Sequence, residues 1–154
     1  MRIIKIDAEN LEDYAADLVA ISNEFLGLVC EQESRGEEEG RKVLEQMVAN
    51  SPTTVVMLVE DAEGNPIGMS YGNYGTGYSC GGVYFWLNGI YIREASQQRG
   101  YGLRLLEHMI EDGKRRGMTL FICSRAPVND ASRRLFQRAG FEQHPSTGMM
   151  KTFD

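Results

Sequence analysis

Six consecutive residues, Gln97-Gln98-Arg99-Gly100-Tyr101-Gly102, have the makeup of a phosphate cradle. They follow an apolar segment, residues 86–92, that reads as a buried strand. They precede a segment of helical spacing. Gly102, Leu105, Leu106, Met109, Ile110 and Gly113 fall on one stripe, and Arg104, Glu107, His108, Glu111, Asp112 and Arg115 fall opposite. Glycines in such a turn let the backbone approach an anion closely. The helix's first N–H groups have no partner within the helix and point at the same place. The chemistry implied is binding of a phosphate-bearing ligand.

Two familiar phosphate loops do not fit. A P-loop ends in Gly-Lys-Ser/Thr, whereas Gly102 is followed by Leu103 and Arg104. A dinucleotide fingerprint needs a further glycine three residues on, and that position is Leu105. The pattern that remains is Q-x-x-G-x-G.

The elements that must position this loop can be read in order. Residues 2–7 form a strand. Leu11, Tyr14, Leu18, Ile21, Phe25 and Leu28 recur at helical spacing, with Asn10 as N-cap. Residues 30–40, with five glutamates (31, 33, 37, 38 and 39), read as a polar turn. A second helix turns Val43, Leu44, Met47 and Val48 inward and ends at Ser51-Pro52. Residues 53–59 and 67–74 form a hairpin around Glu63-Gly64-Asn65-Pro66. Residues 75–82, with four glycines, read as a flexible connection to the central strand, 83–92. Gly117 closes the helix after the loop, and residues 118–123 are a buried strand suited to parallel pairing. Asn129 caps a last helix that Gly140 stops, and residues 141–144 and 149–153 read as a final hairpin. The order β-α-α-β-β-β-α-β-α-β-β describes an α/β (α+β) mixed sheet with helices on both faces. Residues 1–154 are expected to form a single domain.

Composition bounds the function. With 42% hydrophobic and 25% charged residues, the chain has an ordinary globular balance. No apolar run approaches membrane-spanning length, and an acid at Asp7 interrupts the N-terminus too early for a signal peptide, so a cytoplasmic location is expected. A net charge of -6 argues against nucleic acid. Cys30, Cys80 and Cys123 show no pair spacing, and His108 and His144 no ligand spacing, so no metal site is expected.

The Q-x-x-G-x-G segment resembles the acetyl-CoA pyrophosphate loop of the GNAT N-acetyltransferase superfamily. Two further blocks carry the resemblance. Asn129-Asp-Ala-Ser-Arg-Arg-Leu135-Phe136-Gln-Arg-Ala-Gly140-Phe141 is similar to the family's N-x-x-A-x-x-L-Y-x-x-x-G-F segment, with Ser132 at the alanine and Phe136 at the tyrosine. Trp86-Leu-Asn-Gly-Ile-Tyr-Ile92 is similar to its aromatic-L-E-D-I/L-Y-V strand. The three blocks occur in the family's order and spacing, and the element order matches the GNAT fold over the whole chain.

The resemblance implies a set of contacts to acetyl-CoA. N–H groups of Gln98, Arg99, Gly100, Tyr101, Gly102 and Leu103, in the loop headed by Gln97, would hold the pyrophosphate. Ile90, Tyr91 and Ile92 on one strand and residues 120–124, ending at Ser124, on another would splay apart and bond the pantetheine arm. Asn129 would contact the pantetheine end, in the segment that also carries Ser132 and Phe136. The Ile92 N–H would stabilise charge growing on the thioester oxygen.

The implied reaction is direct attack of a primary amine on the thioester. The family's usual base and acid positions hold Asn88 and Phe136, and neither side chain titrates usefully. Asn88 as a water holder and Tyr84 or Tyr91 as proton carriers are the catalytic candidates, with Tyr101, Ser132 and Glu24 behind them. The glutamates at 31–39 suggest a small cationic amine acceptor. A protein or peptide amine is the alternative, and a non-catalytic acyl-CoA-binding module is the rival from another class. The family's habits also suggest a homodimer.

Overall fold

Seven consecutive buried residues, Thr54–Glu60, form the strand about which the sheet is layered. A strand covered on both faces needs apolar, β-branched side chains on both, and Thr-Val-Val-Met-Leu-Val supplies them. The computed structural model describes residues 1–125, 129–145 and 150–152. Its elements are β1 (Arg2–Ile6), α1 (Leu11–Leu28), α2 (Glu37–Ala49), β2 (Thr54–Glu60), β3 (Pro66–Gly77), β4 (Gly82–Ile92), a 3-10 turn (Glu94–Ser96), α3 (Tyr101–Arg115), β5 (Met118–Cys123) and α4 (Asp130–Arg138). The strands lie side by side in chain order. β1 to β4 pair antiparallel, and β4 and β5 pair parallel with α3 as the crossover.

The two faces carry separate cores. Val56, Leu58, Met69 and Tyr91 meet Leu18, Ile21 and Phe25 of α1 and Leu44 and Val48 of α2. Val55, Met57, Val59, Phe85, Leu87 and Ile92 meet Leu105, Leu106 and Met109 of α3 and Phe136 of α4. Each fully buried aliphatic contributes about 2 kcal/mol, so the expected helices on both faces are held by the same alternating strands.

Four local expectations need correction. β5 is not a buried strand: none of its residues is fully buried, and Thr119 and Leu120 are exposed because the core under α1 and α2 does not extend to it. Asn10 precedes α1, but its side chain does not cap the helix. Its Oδ1 accepts from the Asp7 N–H and its Nδ2 donates to the Lys5 carbonyl, so it ties the end of β1 to the helix instead. Residues 75–82 are not a flexible connection. Gly75, Thr76 and Gly77 pair with Tyr84, Val83 and Gly82, which extends β3 and β4 into one long hairpin. The glycines there serve close packing, since a Cβ on Gly75 would come 2.5 Å from the Tyr84 ring. Of the expected final hairpin, residues 141–144 are not in a strand, and residues 149 and 153 lie outside the described residues.

The hairpin is fastened to α3 by a polar cluster. Tyr74 Oη donates to Asp112 Oδ2 at 3.3 Å, Arg116 Nε donates to the same oxygen at 2.9 Å, and the Arg116 guanidinium stacks 4.6 Å from the Tyr74 ring centroid. Burial and the Asp112 charge push the Tyr74 phenol up to about 12, so it remains a donor.

Two glycine substitutions separate backbone contact from free space. A Cβ on Gly72 would lie 2.4 Å from the Trp86 carbonyl oxygen, which the strand pairing holds in place. Gly72→Ala is therefore expected to destabilise by about 1–3 kcal/mol. A Cβ on Gly102 would meet Leu135 at an ordinary 3.7 Å, so Gly102→Ala should match the parent or gain up to about 1 kcal/mol of helix propensity. Urea denaturation checks both, and equal losses would contradict the packing.

Candidate active site

The sheet opens between β4 and β5. Among the described residues their pairing runs from Val83↔Met118 to Leu87↔Cys123 and goes no further, although β4 continues to Ile92. Beyond Leu87 one edge of β4 therefore has no strand beside it among the described residues. The Arg93 N–H donates to the Ile67 carbonyl on β3 at 2.8 Å. Backbone groups alternate in direction along a strand, so the N–H groups of Ile92 and Ile90 point into the opening. The Ile92 carbonyl points the same way and accepts Gln97 Nε2 at 2.8 Å, which anchors the following loop to the end of the strand.

That loop carries two left-handed residues, Gln98 (φ 61°) and Gly100 (φ 80°). Alternation of this kind turns successive N–H groups to one side as an anion nest. The N–H groups of Gln98, Arg99 and Gly100 have no protein acceptor among the described residues. Tyr101, Gly102 and Leu103 open α3, whose first turn has neither a capping side chain nor an acid. The first turns of α1, α2 and α4 all carry acids. An unneutralised helix N-terminus beside a nest attracts negative charge.

On the α1/α2 face, the pairing of β3 with β4 slips. Tyr71 faces Gly89 while Gly72 faces Leu87, so Asn88 is the extra residue of a β-bulge. Its Nδ2 donates to Asn73 Oδ1 at 2.6 Å, and Asn73 Nδ2 donates to Thr54 Oγ1 at 2.8 Å. This chain fixes the amide and turns Asn88 Oδ1 outward. A Cβ on Gly89 would lie 3.0 Å from the Tyr71 hydroxyl, so the phenol rests on the backbone at the bulge. Burial, then Cys30, raise the Tyr71 phenol against a lowering by Arg35, and it stays protonated. Cys30 and Arg35 belong to the α1–α2 connection, which Asn23 clamps by two 2.9 Å bonds to the Arg35 backbone.

Tyr71 was not among the sequence candidates. Its place depends on cross-strand register and on a glycine opposite, and no spacing along the chain reveals either. The other candidates are divided. Asn88, Ile90, Ile92, Gln97, Gln98, Arg99, Gly100, Tyr101, Gly102 and Leu103 gather around the opening. Ser124 follows the last paired residue of β5, and Asn129 caps α4 by accepting from the Ser132 N–H at 2.9 Å. Tyr91 points away, into the α1 core. Its buried hydroxyl has no partner, and burial and then Glu24 raise its phenol. Tyr84 lies over Gly75, four residues before the bulge. Phe136 packs on Phe141 at 5.4 Å within the α3 core. Glu24 is engaged by Arg93 at 3.0 Å. Of the acidic stretch, Glu38 and Glu39 pair with Lys42 and Arg35 and Glu37–Glu39 form the exposed first turn of α2, so local cations and the helix dipole account for them.

Among the described residues, no helix is long and apolar enough to cross a membrane. Residues 15–141 match the model of the acetyltransferase (GNAT) family. A comparison with curated proteins gives no significant match. Among solved structures, a probable acetyltransferase superposes with a TM-score of 0.84 at 21% identity, covering 100% of this chain and 99% of that one. The aminoglycoside 6'-N-acetyltransferase of Acinetobacter haemolyticus gives 0.74 at 20% identity, with 100% of both chains covered. A predicted acetyltransferase from Clostridium acetobutylicum, solved with acetyl-CoA, gives 0.76 at 15% identity, covering 97% and 95%. At these identities the likenesses establish the fold.

The remaining nucleophile near the opening is Cys123, and burial pushes its thiol up to about 11. In a variant with Cys30 and Cys80 changed to serine, iodoacetamide at neutral pH is expected to label Cys123 at least about tenfold more slowly than free cysteine. Labelling at the free-cysteine rate, read by mass spectrometry, would contradict this environment.

Proposed function

The chain belongs to the GNAT acetyltransferase family, and from that membership we propose that it transfers the acetyl group of acetyl-CoA to the primary amine of a small molecule. The observation that carries the reading is the unpaired β4 edge at Ile90 and Ile92, contiguous with the nest at Gln98–Gly100 and the bare N-terminus of α3. A pantetheine arm offers amides to such an edge as an added strand would, and a pyrophosphate suits the nest. The likeness to an aminoglycoside acetyltransferase is one of fold alone, and the small-molecule acceptor rests instead on the uncharged amides that line the bulge, Asn88 and Asn73.

In the proposed chemistry the amine approaches over Asn88, whose outward Oδ1 accepts a hydrogen bond from its nitrogen. The Ile92 N–H donates to the acetyl oxygen as it gains charge. The nitrogen bonds to the acetyl carbon, the carbon–sulfur bond breaks, the ammonium proton passes to water, and coenzyme A leaves as its thiolate, which takes a proton back from water. Tyr71, held protonated beside Gly89, donates a hydrogen bond to water at the bulge.

No titrating base is needed for this to be an enzyme. One oxyanion donor contributes about 3–4 kcal/mol and positioning contributes up to about 7–11 kcal/mol. A general base adds about 10²–10⁴-fold, or roughly 3–5 kcal/mol. Asn88 and Phe136, read alone, favour a module that binds acyl-CoA without transfer, and a thiol-release assay decides between the two.

Without a side-chain base, turnover depends on the neutral fraction of the amine. With acetyl-CoA and an amine panel, kcat/KM should rise about tenfold per pH unit up to the acceptor's own pKa, near 10 for an alkylamine. Asn88→Glu supplies a base and should raise kcat/KM at neutral pH by about tenfold or more, while flattening the profile. A wild-type plateau near neutrality that Asn88→Glu leaves in place would contradict the assignment. Saturable acetyl-CoA binding with no thiol release from any amine would favour the binding module.

A further inference from the structure

The sheet is covered unevenly at β4 and β5. On the α3 side, Phe85 and Leu87 are 2% and 3% exposed. On the other side, Trp86 and Leu120 are 44% and 40% exposed, because the core under α1 and α2 is built on β1 to β3 and reaches β4 only at Tyr91. Register places four apolar side chains together on this open face. Tyr84 lies opposite Leu120, and Trp86 lies opposite Ile122. The hydroxyl end of the Tyr84 ring lies over Gly75, and Trp86 is the most exposed of the four.

This patch runs directly into the bulge. Trp86 is two residues from Asn88 on the same strand, about 7 Å along it, and opposite Asn73, to which Asn88 is bonded. A patch of four side chains is far below the roughly 800 Å² per partner of a stable protein interface. None of the four carries a charge, and two of the three acids of the α2 first turn, Glu38 and Glu39, are engaged with Lys42 and Arg35.

Resting on the transferase reading, we propose that Trp86, Leu120 and Ile122 form the subsite for the body of the acceptor. The acceptor is then a small amine bearing an aryl or branched alkyl group about 7 Å from its nitrogen, by the strand spacing. The apolar group lies on the indole, and the amine reaches Asn88. An aromatic floor of this kind selects by removing apolar surface from water, which a hydroxylated or polycationic amine of equal reach cannot match.

Trp86 is the single tryptophan of the chain, so its emission reports on the subsite without any chemistry. The test compares 3-phenylpropylamine with 3-aminopropanol on the full chain. The phenyl amine should shift the emission saturably and the alcohol should not. In transfer assays the phenyl amine should be preferred by about tenfold or more in kcat/KM. Trp86→Ala should collapse that preference toward unity, Trp86→Phe should retain most of it, and the KM for acetyl-CoA should stay at its parent value in both. No emission change, no wild-type preference, or a preference that survives Trp86→Ala would overturn the subsite. If acetyl-CoA binds but neither these two amines nor any other of the panel releases thiol, the transferase reading fails, and the emission titration still decides whether the patch takes an apolar ligand.

Discussion

Backbone hydrogen-bonding groups in a sheet need partners, and β4 leaves a row of them open on one side. Its pairing with β3 runs the length of the strand to Ile92, while among the described residues its pairing with β5 stops at Leu87. An unpaired edge is tolerable only where water or a ligand can reach it. Here it lies at the mouth of the loop that leads into α3. The two cores explain why the opening keeps its shape. α3 is pinned to β4 through Leu105, Leu106 and Met109, and Gln97 ties the loop to the last carbonyl of the strand.

Around that opening, two kinds of polarity are separated by the sheet. The loop and the α3 N-terminus present N–H groups and positive φ residues, which suit an anion. The opposite side presents an amide chain, a protonated phenol and an exposed indole, which suit a neutral amine and its apolar body. The β-bulge makes the second arrangement. By adding Asn88 to β4 it shifts side-chain alternation, so that Leu87 and Ile90 face the same core while Asn88 turns to the open side. On the proposed reading, Asn88 and Phe136 stand where the family's base and acid are expected, which places the burden on positioning and on one backbone N–H.

The loop, α3 and the cap of α4 were legible because their signals are local. Gly100 lies in the left-handed region and Asn129 caps through Ser132, as their sequence positions suggest. The long hairpin was hidden by its glycines, which read as flexibility along the chain but serve contact across it, as under Tyr84 at Gly75. Asn10 was misjudged because its side chain found partners behind it in Lys5 and Asp7. Tyr71 and the Trp86 patch depend on register. A pairing such as Tyr71↔Gly89 exists only once the bulge has set which residues face each other.

The central claim is that the free edge of β4 and the loop beyond it bind acetyl-CoA. Amide hydrogen exchange, with and without acetyl-CoA, measures this most directly. The account predicts slowed exchange at the N–H groups of Ile90 and Ile92 and at those of residues 98–103, with the Tyr91 amide, which faces β3, unchanged. Protection confined to other surfaces, with Ile90 and Ile92 exchanging as before, would contradict it.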